Sequence, residues 1–187
     1  RSGELSADLL AIGIGIERNV GFLQGSGIEL GEKGGVRTNE FLETNIPGVF
    51  AAGDIAEYYD VVSGHERLVG NWTNAVLQGK QAGLNMTGQR TPFINVPSYA
   101  ITNLGFQITA VGECDNGLEA VSRIDAENRR YSRFFIRDGI LAGAFLINSF
   151  KHKPHLSLLI ENRIPIARYL RQLADPWFDI HTITAVK

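Results

Sequence analysis

The run Thr44-Asn45-Ile46-Pro47-Gly48-Val49-Phe50-Ala51-Ala52-Gly53-Asp54 is the part of this sequence best suited to binding chemistry. Asn45–Gly48 is turn chemistry. Val49–Ala52 is too short for a helix and predicts a strand buried on both faces. A glycine closing such a strand lets a ligand approach the backbone. Asp54 then places a carboxylate acceptor at the carboxyl end of an α/β sheet, where ligands bind. On the residues alone, a buried strand followed by an Asp capping the next turn is the better explanation of the run.

Two further places carry suitable residues. Asp8–Gly15 is an apolar run that predicts a strand ending at Gly13 and Gly15. Gly13-x-Gly15 is no phosphate-binding fingerprint, since no G-x-G-x-x-G follows. The second place is Asn71-Trp72-Thr73-Asn74, where a helix is expected to open with Asn71 as N-cap and to stop at Gly88. Trp72, Ala75, Val76, Gly79, Ala82, Gly83 and Met86 fall on one face at helical spacing, which predicts close packing of that face.

The remaining reactive types read as structural. His65, in Ser63–Arg67, is expected in a solvated loop. His152, Lys153 and His155 have no acidic or cysteine ligands at suitable spacing, so a loop is expected there and no metal site. A redox role for Cys114 would need a depressed pKa and exposure. No residue stands out as an acid, base or nucleophile.

The elements that must position these residues sit in a chain of 187 residues, enough for one well-filled core or one and a half small ones. The formal net charge of −2 gives no reason to expect nucleic acid or an anionic membrane as partner. No apolar run approaches bilayer length. The single cysteine excludes an internal disulfide and fits a reducing, cytoplasmic setting. Val20–Ser26 predicts a short helix, and Ile28–Leu30 and Val36–Thr38 predict strands around a glycine turn. The Pro92–Pro97 stretch reads as a crossing, with a boundary near residue 95. Beyond it Gly105–Glu113, Leu118–Asp125, Tyr131–Arg137 and Ile140–Asn148 predict antiparallel strands, the last two joined at Asp138-Gly139. Phe134, Phe135, Phe145 and Ile147 are expected in the core. Helices are expected at about 155–162 and 165–174, the second with an apolar stripe of Ile166, Tyr169, Leu170 and Leu173. Trp177 and Phe178 hint at packing of the 175–187 tail onto a partner.

Thr44, Pro47, Val49, Phe50, Ala51, Gly53 and Asp54 match every fixed position of T-x-x-P-x-[VI]-[FY]-A-x-G-D. That motif resembles the second FAD-binding motif of the pyridine-nucleotide-linked flavoprotein oxidoreductases. The run Val36–Thr44 resembles the stretch preceding it. Ala7, Asp8, Gly15 and Asn19 resemble the end of the NAD(P)-binding domain, although Arg18 stands where proline is usual. The helix region resembles the apoptosis-inducing-factor-like, rubredoxin reductase-like and ferredoxin reductase-like branch.

The resemblance implies an α/β plus α+β fold: a partial FAD/NAD(P)-binding Rossmann-like domain, then a C-terminal interface domain of antiparallel sheet and helices. Residues 1–35 would end the NAD(P)-binding domain, 36–94 the FAD-binding domain, and 95–187 would form the interface domain. Asp54 would accept a ribityl hydroxyl of FAD beside Gly53. The N-terminus opened by Asn71 would present backbone donors of Trp72, Thr73 and Asn74 to the flavin pyrimidine, favouring the charge that builds on reduction. Gly13 and Gly15 would lie near NAD(P)H, or be mere glycines at a strand exit. The implied activity passes electrons from NAD(P)H through FAD to a rubredoxin- or ferredoxin-type partner or a small acceptor, in a homo-oligomer.

Both upstream nucleotide fingerprints are missing, so the chain is expected to be the C-terminal part of a longer enzyme. Lys153-Pro154-His155 does not match the H-P-T-x-x-E of disulfide reductases, so no catalytic His is carried over. A coenzyme A-disulfide reductase-type parent stays open. So does a catalytically incomplete interaction or dimerisation piece.

Overall fold

The structure is a computed structural model that describes residues 3–184. It is a mixed α/β arrangement of two sheets and few helices. The first sheet has three strands, β1 (Val36–Thr38), β2 (Ala56–Asp60) and β3 (His65–Leu68). β1 runs parallel to β2, and β2 pairs antiparallel with β3. The parallel step needs a long connection, and residues 39–55, carrying the Gly53-Asp54 motif, provide it. α1 (Trp72–Met86) follows.

The second sheet is antiparallel, with β4 (Ser98–Asn103), β5 (Phe106–Gly112), β6 (Glu119–Asp125), β7 (Arg130–Arg137) and β8 (Ile140–Ile147) in the order β4-β5-β8-β7-β6. Asp138 and Gly139 both have positive φ, 50° and 75°. That pair is the hairpin turn whose twist suits the flanking strands. Val111, Phe134, Ala144 and Leu146 form the buried face of this sheet. It packs on Leu156, Leu159 and Ile160 of α2 (Lys153–Glu161) and on Leu173 of α3 (Leu170–Leu173). A register shift at Phe135/Ile136 lets Phe134, Phe135 and Ile136 all be buried in succession.

Several sequence expectations need correction. Asp8–Gly15 forms no strand, and Leu9, Leu10, Ile12 and Ile14 are exposed. A doubly buried strand exists only between neighbours, and the described residues offer this segment none. For the same reason Val49–Ala52 is reduced to one bridge, Phe50 to Glu43, and Ile28–Leu30 to one bridge, Leu30 to Val36. Val20–Ser26 contributes a single 3-10 turn, Gly21–Leu23. Residues 165–174 split into a 3-10 turn, Ala167–Tyr169, and α3. Phe145 and Ile147 are half-buried, on the opposite face from Phe134 and Leu146. The segment after α3 packs inward, with Ile180 and Ile183 in the core, while Trp177 stays exposed. The last part of the 175–187 tail lies outside the described residues.

α1 has the expected bounds and cap, but its buried stripe is turned away from the expected face, with which it shares Ala82. Asn74, Gln78, Ala82 and Asn85 are buried, whereas Trp72, Val76 and Met86 are exposed. Spaced by four, then four, then three, these residues form one stripe. Loops cover most of it, beside Tyr58 of β2 at Ala82, and loops present backbone groups that need partners. Asn85 Nδ2 donates to the carbonyls of Phe41 (2.8 Å) and Thr91 (3.1 Å), and Asn74 Nδ2 to that of Val69 (3.3 Å).

Candidate functional site

Gly53 sits where residues 39–55 turn into β2. Its φ is +85°, and a Cβ on it would stand 3.5 Å from Ala75 Cβ. Its N–H donates to Gln78 Oε1 at 2.7 Å, and its carbonyl accepts from Ala56 N at 3.0 Å. The left-handed φ is what calls for glycine here, since a Cβ would make only an ordinary contact with α1. Gln78, fully buried, therefore locks the motif to the helix; its Nε2 has no acceptor. Nothing in the periodicity singled it out, because Gln78 reads as a solvent-facing helix residue.

The next residue, Asp54, is exposed at the apex of this turn. Its carbonyl accepts from Arg18 Nε at 2.7 Å. Its carboxylate makes no hydrogen bond or ion pair among the described residues, which leaves both oxygens free to accept.

Asn71 caps α1 in extended geometry, its Oδ1 accepting from Asn74 N at 2.8 Å while its carbonyl accepts from Ala75 N at 3.0 Å. Asn74 is thereby spent on structure. Its N–H goes to the cap, its Nδ2 to Val69, and its Oδ1 takes a bond from Asn95 at 3.0 Å. The free donors are the backbone N–H groups of Trp72 and Thr73, two rather than the three expected. They face a hollow lined by Gly70, Asn71, Trp72, Thr73, Ser98 and Tyr99. No acid lies in the first turn of this 15-residue helix, so its own side chains leave the positive dipole end uncompensated.

These residues fit a flavin nucleotide in their donor and acceptor chemistry. A free carboxylate would accept from a polyol hydroxyl, and an uncapped pair of N–H groups would favour an electron-rich carbonyl. Gly13 and Gly15 are not drawn into this cluster. They stand in open space in the exposed segment, Gly15 at φ +99°.

The other reactive side chains have structural partners. His65 is not in a loop but in β3, with Nε2 3.6 Å from Glu113 Oε2, and Glu113 also pairs with Arg137 at 2.6 Å. Buried Asp60 accepts from Val62 N at 2.9 Å and lies 3.4 Å from Arg67. His152, His155 and His181 cluster, with ring centroids 5.5 Å and 4.6 Å apart for the two pairs. Burial, then the charges of Arg123 and Lys151, pushes the His152 imidazolium down to about 4. No group of three or more His, Cys, Asp or Glu among the described residues could hold a metal ion. Cys114 is an exposed residue, but its sulfur lies 3.8 Å from the Val111 carbonyl and desolvation there raises its pKa, the reverse of what a reactive thiol needs. No helix among the described residues is long and apolar enough to cross a membrane.

Residues 1–79 match the family described as Pyridine nucleotide-disulphide oxidoreductase, and residues 97–164 match the Rubredoxin NAD+ reductase C-terminal domain. Apoptosis-inducing factor 3 of Mus musculus is 29% identical over 182 residues, covering 96% of this chain and 29% of that protein. The NAD(P)H sulfur oxidoreductase (CoA-dependent) of Pyrococcus furiosus is 34% identical over 115 residues, 61% of this chain and 26% of that protein. Among solved structures, the covalent putidaredoxin reductase–putidaredoxin complex superposes with a TM-score of 0.82 at 20% identity, over 96% of this chain and 42% of that one. The chain thus spans about a quarter to under a half of the length of these relatives.

Proposed function

This chain belongs to the pyridine nucleotide-disulphide oxidoreductase family, and on that premise we propose that it forms the flavin-side and partner-side portion of an FAD-dependent NAD(P)H oxidoreductase. The observation that carries the reading is the junction of Gly53-Asp54 with the open N-terminus of α1. A free carboxylate and two free N–H groups flank one turn locked by Gln78. FAD, when bound, would supply the hydride-accepting and electron-transferring chemistry. The chain's own residues bind and orient. Asp54 accepts a ribityl hydroxyl, Gly53 allows close approach, and Asn71 fixes the helix start so that Trp72 and Thr73 point their N–H groups outward. Asn74 supports that start from within. Gly13 and Gly15 would border NAD(P)H.

In this reading residues 1–35, 36–94 and 95–187 belong to the NAD(P)-binding, FAD-binding and interface parts. The electron acceptor is a rubredoxin- or ferredoxin-type carrier or a small molecule, the assembly a homo-oligomer, and the compartment the cytoplasm. The match of residues 97–164 to a rubredoxin reductase domain supports the carrier.

A second reading has its own observation. No G-x-G-x-x-G occurs in the sequence, so half of a nucleotide cradle is all this chain supplies, and an interaction or dimerisation piece without activity fits that. One titration separates the two. The purified chain is titrated into FAD and quenching of flavin fluorescence is followed. Saturable binding, weakened about tenfold in Asp54→Ala through loss of a charge-assisted hydrogen bond, supports the flavoprotein reading. A folded chain that leaves FAD fluorescence unchanged refutes cofactor binding by this chain and favours the second reading.

A further inference from the structure

Among the described residues a single hydrogen bond ties residues 3–19 to anything beyond Val20, from Arg18 Nε to the Asp54 carbonyl at 2.7 Å. No ion pair joins that segment to the rest of the described residues. The bond spans 36 positions and ends on the residue that carries the free carboxylate. A Cβ on Gly70 would lie 3.6 Å from Asp54 Oδ2 and 3.8 Å from Arg18 Nη2. Guanidinium, carboxylate and the entry to α1 therefore converge beside Gly70.

Arg18 and Asp54 do not close into an ion pair within 4.0 Å, so the clasp uses the backbone carbonyl and leaves the carboxylate oxygens to other donors. Proline, the usual residue at this place in the related motif, has no side-chain donor and could not make this bond. The exchange replaces a stiff backbone position by a long-range donor.

We propose that Arg18 is a positioning residue, clasping the segment that carries Gly13 and Gly15 to the Asp54 carbonyl. It thereby fixes where a nicotinamide nucleotide held at those glycines stands relative to the FAD motif. The inference rests on the flavoprotein reading for its purpose, but the clasp itself is a property of the chain. Arg18 touches no reacting atom. It sets the distance between two segments that must meet for a hydride to pass, and small displacements in such distances are costly to rate.

The test measures that distance directly. Nitroxide labels go on Ile14→Cys and Val76→Cys, both at exposed positions, in a Cys114→Ser background of the full chain, and the spin–spin distance distribution is recorded. One narrow peak is expected with Arg18, and loss of that peak with Arg18→Met, at an unchanged urea midpoint. Arg18→Gln, which keeps a donor without the charge, should recover part of the peak. Superposable distributions for the parent and Arg18→Met overturn the proposal. If Arg18→Met lowers the midpoint, Arg18→Gln decides: a peak as broad in a stable Gln variant as in Met refutes the donor role.

An FAD titration runs alongside. A parent chain that takes no FAD refutes the flavin reading while the distance data still judge the clasp. A parent that binds FAD while Arg18→Met keeps the narrow peak sinks the clasp alone.

Discussion

Glu57 lies in β2, 1% exposed, opposite Arg37 of β1, whose guanidinium pairs with Glu29 and Glu66 and not with it. Its carboxylate is held by backbone donors instead. Lys33 N–H reaches Oε1 at 3.1 Å and Oε2 at 3.0 Å, and Gly35 N–H reaches Oε2 at 3.1 Å. One side chain thus closes the 31–35 loop over the sheet. Glu57→Ala leaves both N–H groups without an acceptor, at about 1–3 kcal/mol each, so a loss of about 2–6 kcal/mol is expected. Glu57→Gln keeps the shape and one oxygen but turns an NH2 toward one of the donors, which should cost about 2–3 kcal/mol. With a urea slope of about 2 kcal/mol/M, the Gln variant should unfold about 1–1.5 M earlier and the Ala variant about 1–3 M earlier. Far-ultraviolet circular dichroism against urea reads both. A Gln midpoint within about 0.3 M of the parent at equal slope would show that the carboxylate adds nothing a neutral amide cannot, and the account of β2 given above would fail.

Two smaller predictions follow from α1 and from the histidine cluster. Asn71→Ala removes the cap bond to Asn74 N and should lower stability by about 1 kcal/mol, read as an earlier urea midpoint. Asn71→Ser should restore most of that loss. His152 titrates near 4 in the folded chain, below its ordinary 6.5, so the unfolded chain binds the extra proton between those values. Stability should therefore be fully present above about pH 6.5 and fall toward pH 4. His152→Gln should flatten that part of the pH profile; an unchanged slope in the variant would assign it to other groups.

The legible parts of this fold were those with local signals. Asn71 and Gly88 bracket α1 because a cap side chain and a stop glycine act within one turn. Asp138-Gly139 marks its hairpin because Asp and Gly tolerate the left-handed φ that the turn requires. The apolar alternation of β5 to β8 needs only a pleat and one core. The rest depends on partners far along the chain. β2 and β3 carry no apolar period because Ala-Glu-Tyr-Tyr-Asp and His-Glu-Arg-Leu are polar runs: β2 is buried with Glu57 on backbone donors and Asp60 beside Arg67, while β3 is only partly buried. β4 lacks a hydrophobic period because it is an edge strand with most residues exposed. The buried polar face of α1 was unreadable for the same reason, since Gln78 and Asn85 are matched to Gly53 N and to the Phe41 carbonyl. At the site, the motif residues were legible by type and spacing. Gln78, which locks them, and Arg18, which reaches them, show only in three dimensions.

The exposed segment of residues 5–16 has a consequence for the chain's behaviour in solution. Leu5, Leu9, Leu10, Ile12, Ile14 and Ile16 are all two-thirds exposed or more. Their backbone groups make no ladder, and a stretch so rich in isoleucine and leucine favours strand pairing. Such a stretch is a ready template for another like it. Samples of this chain should therefore show light scattering that rises steeply with concentration, and a charge placed at Ile12 or Ile14 should keep it dispersed. Of all its surfaces, this one decides at what concentration the protein can be handled.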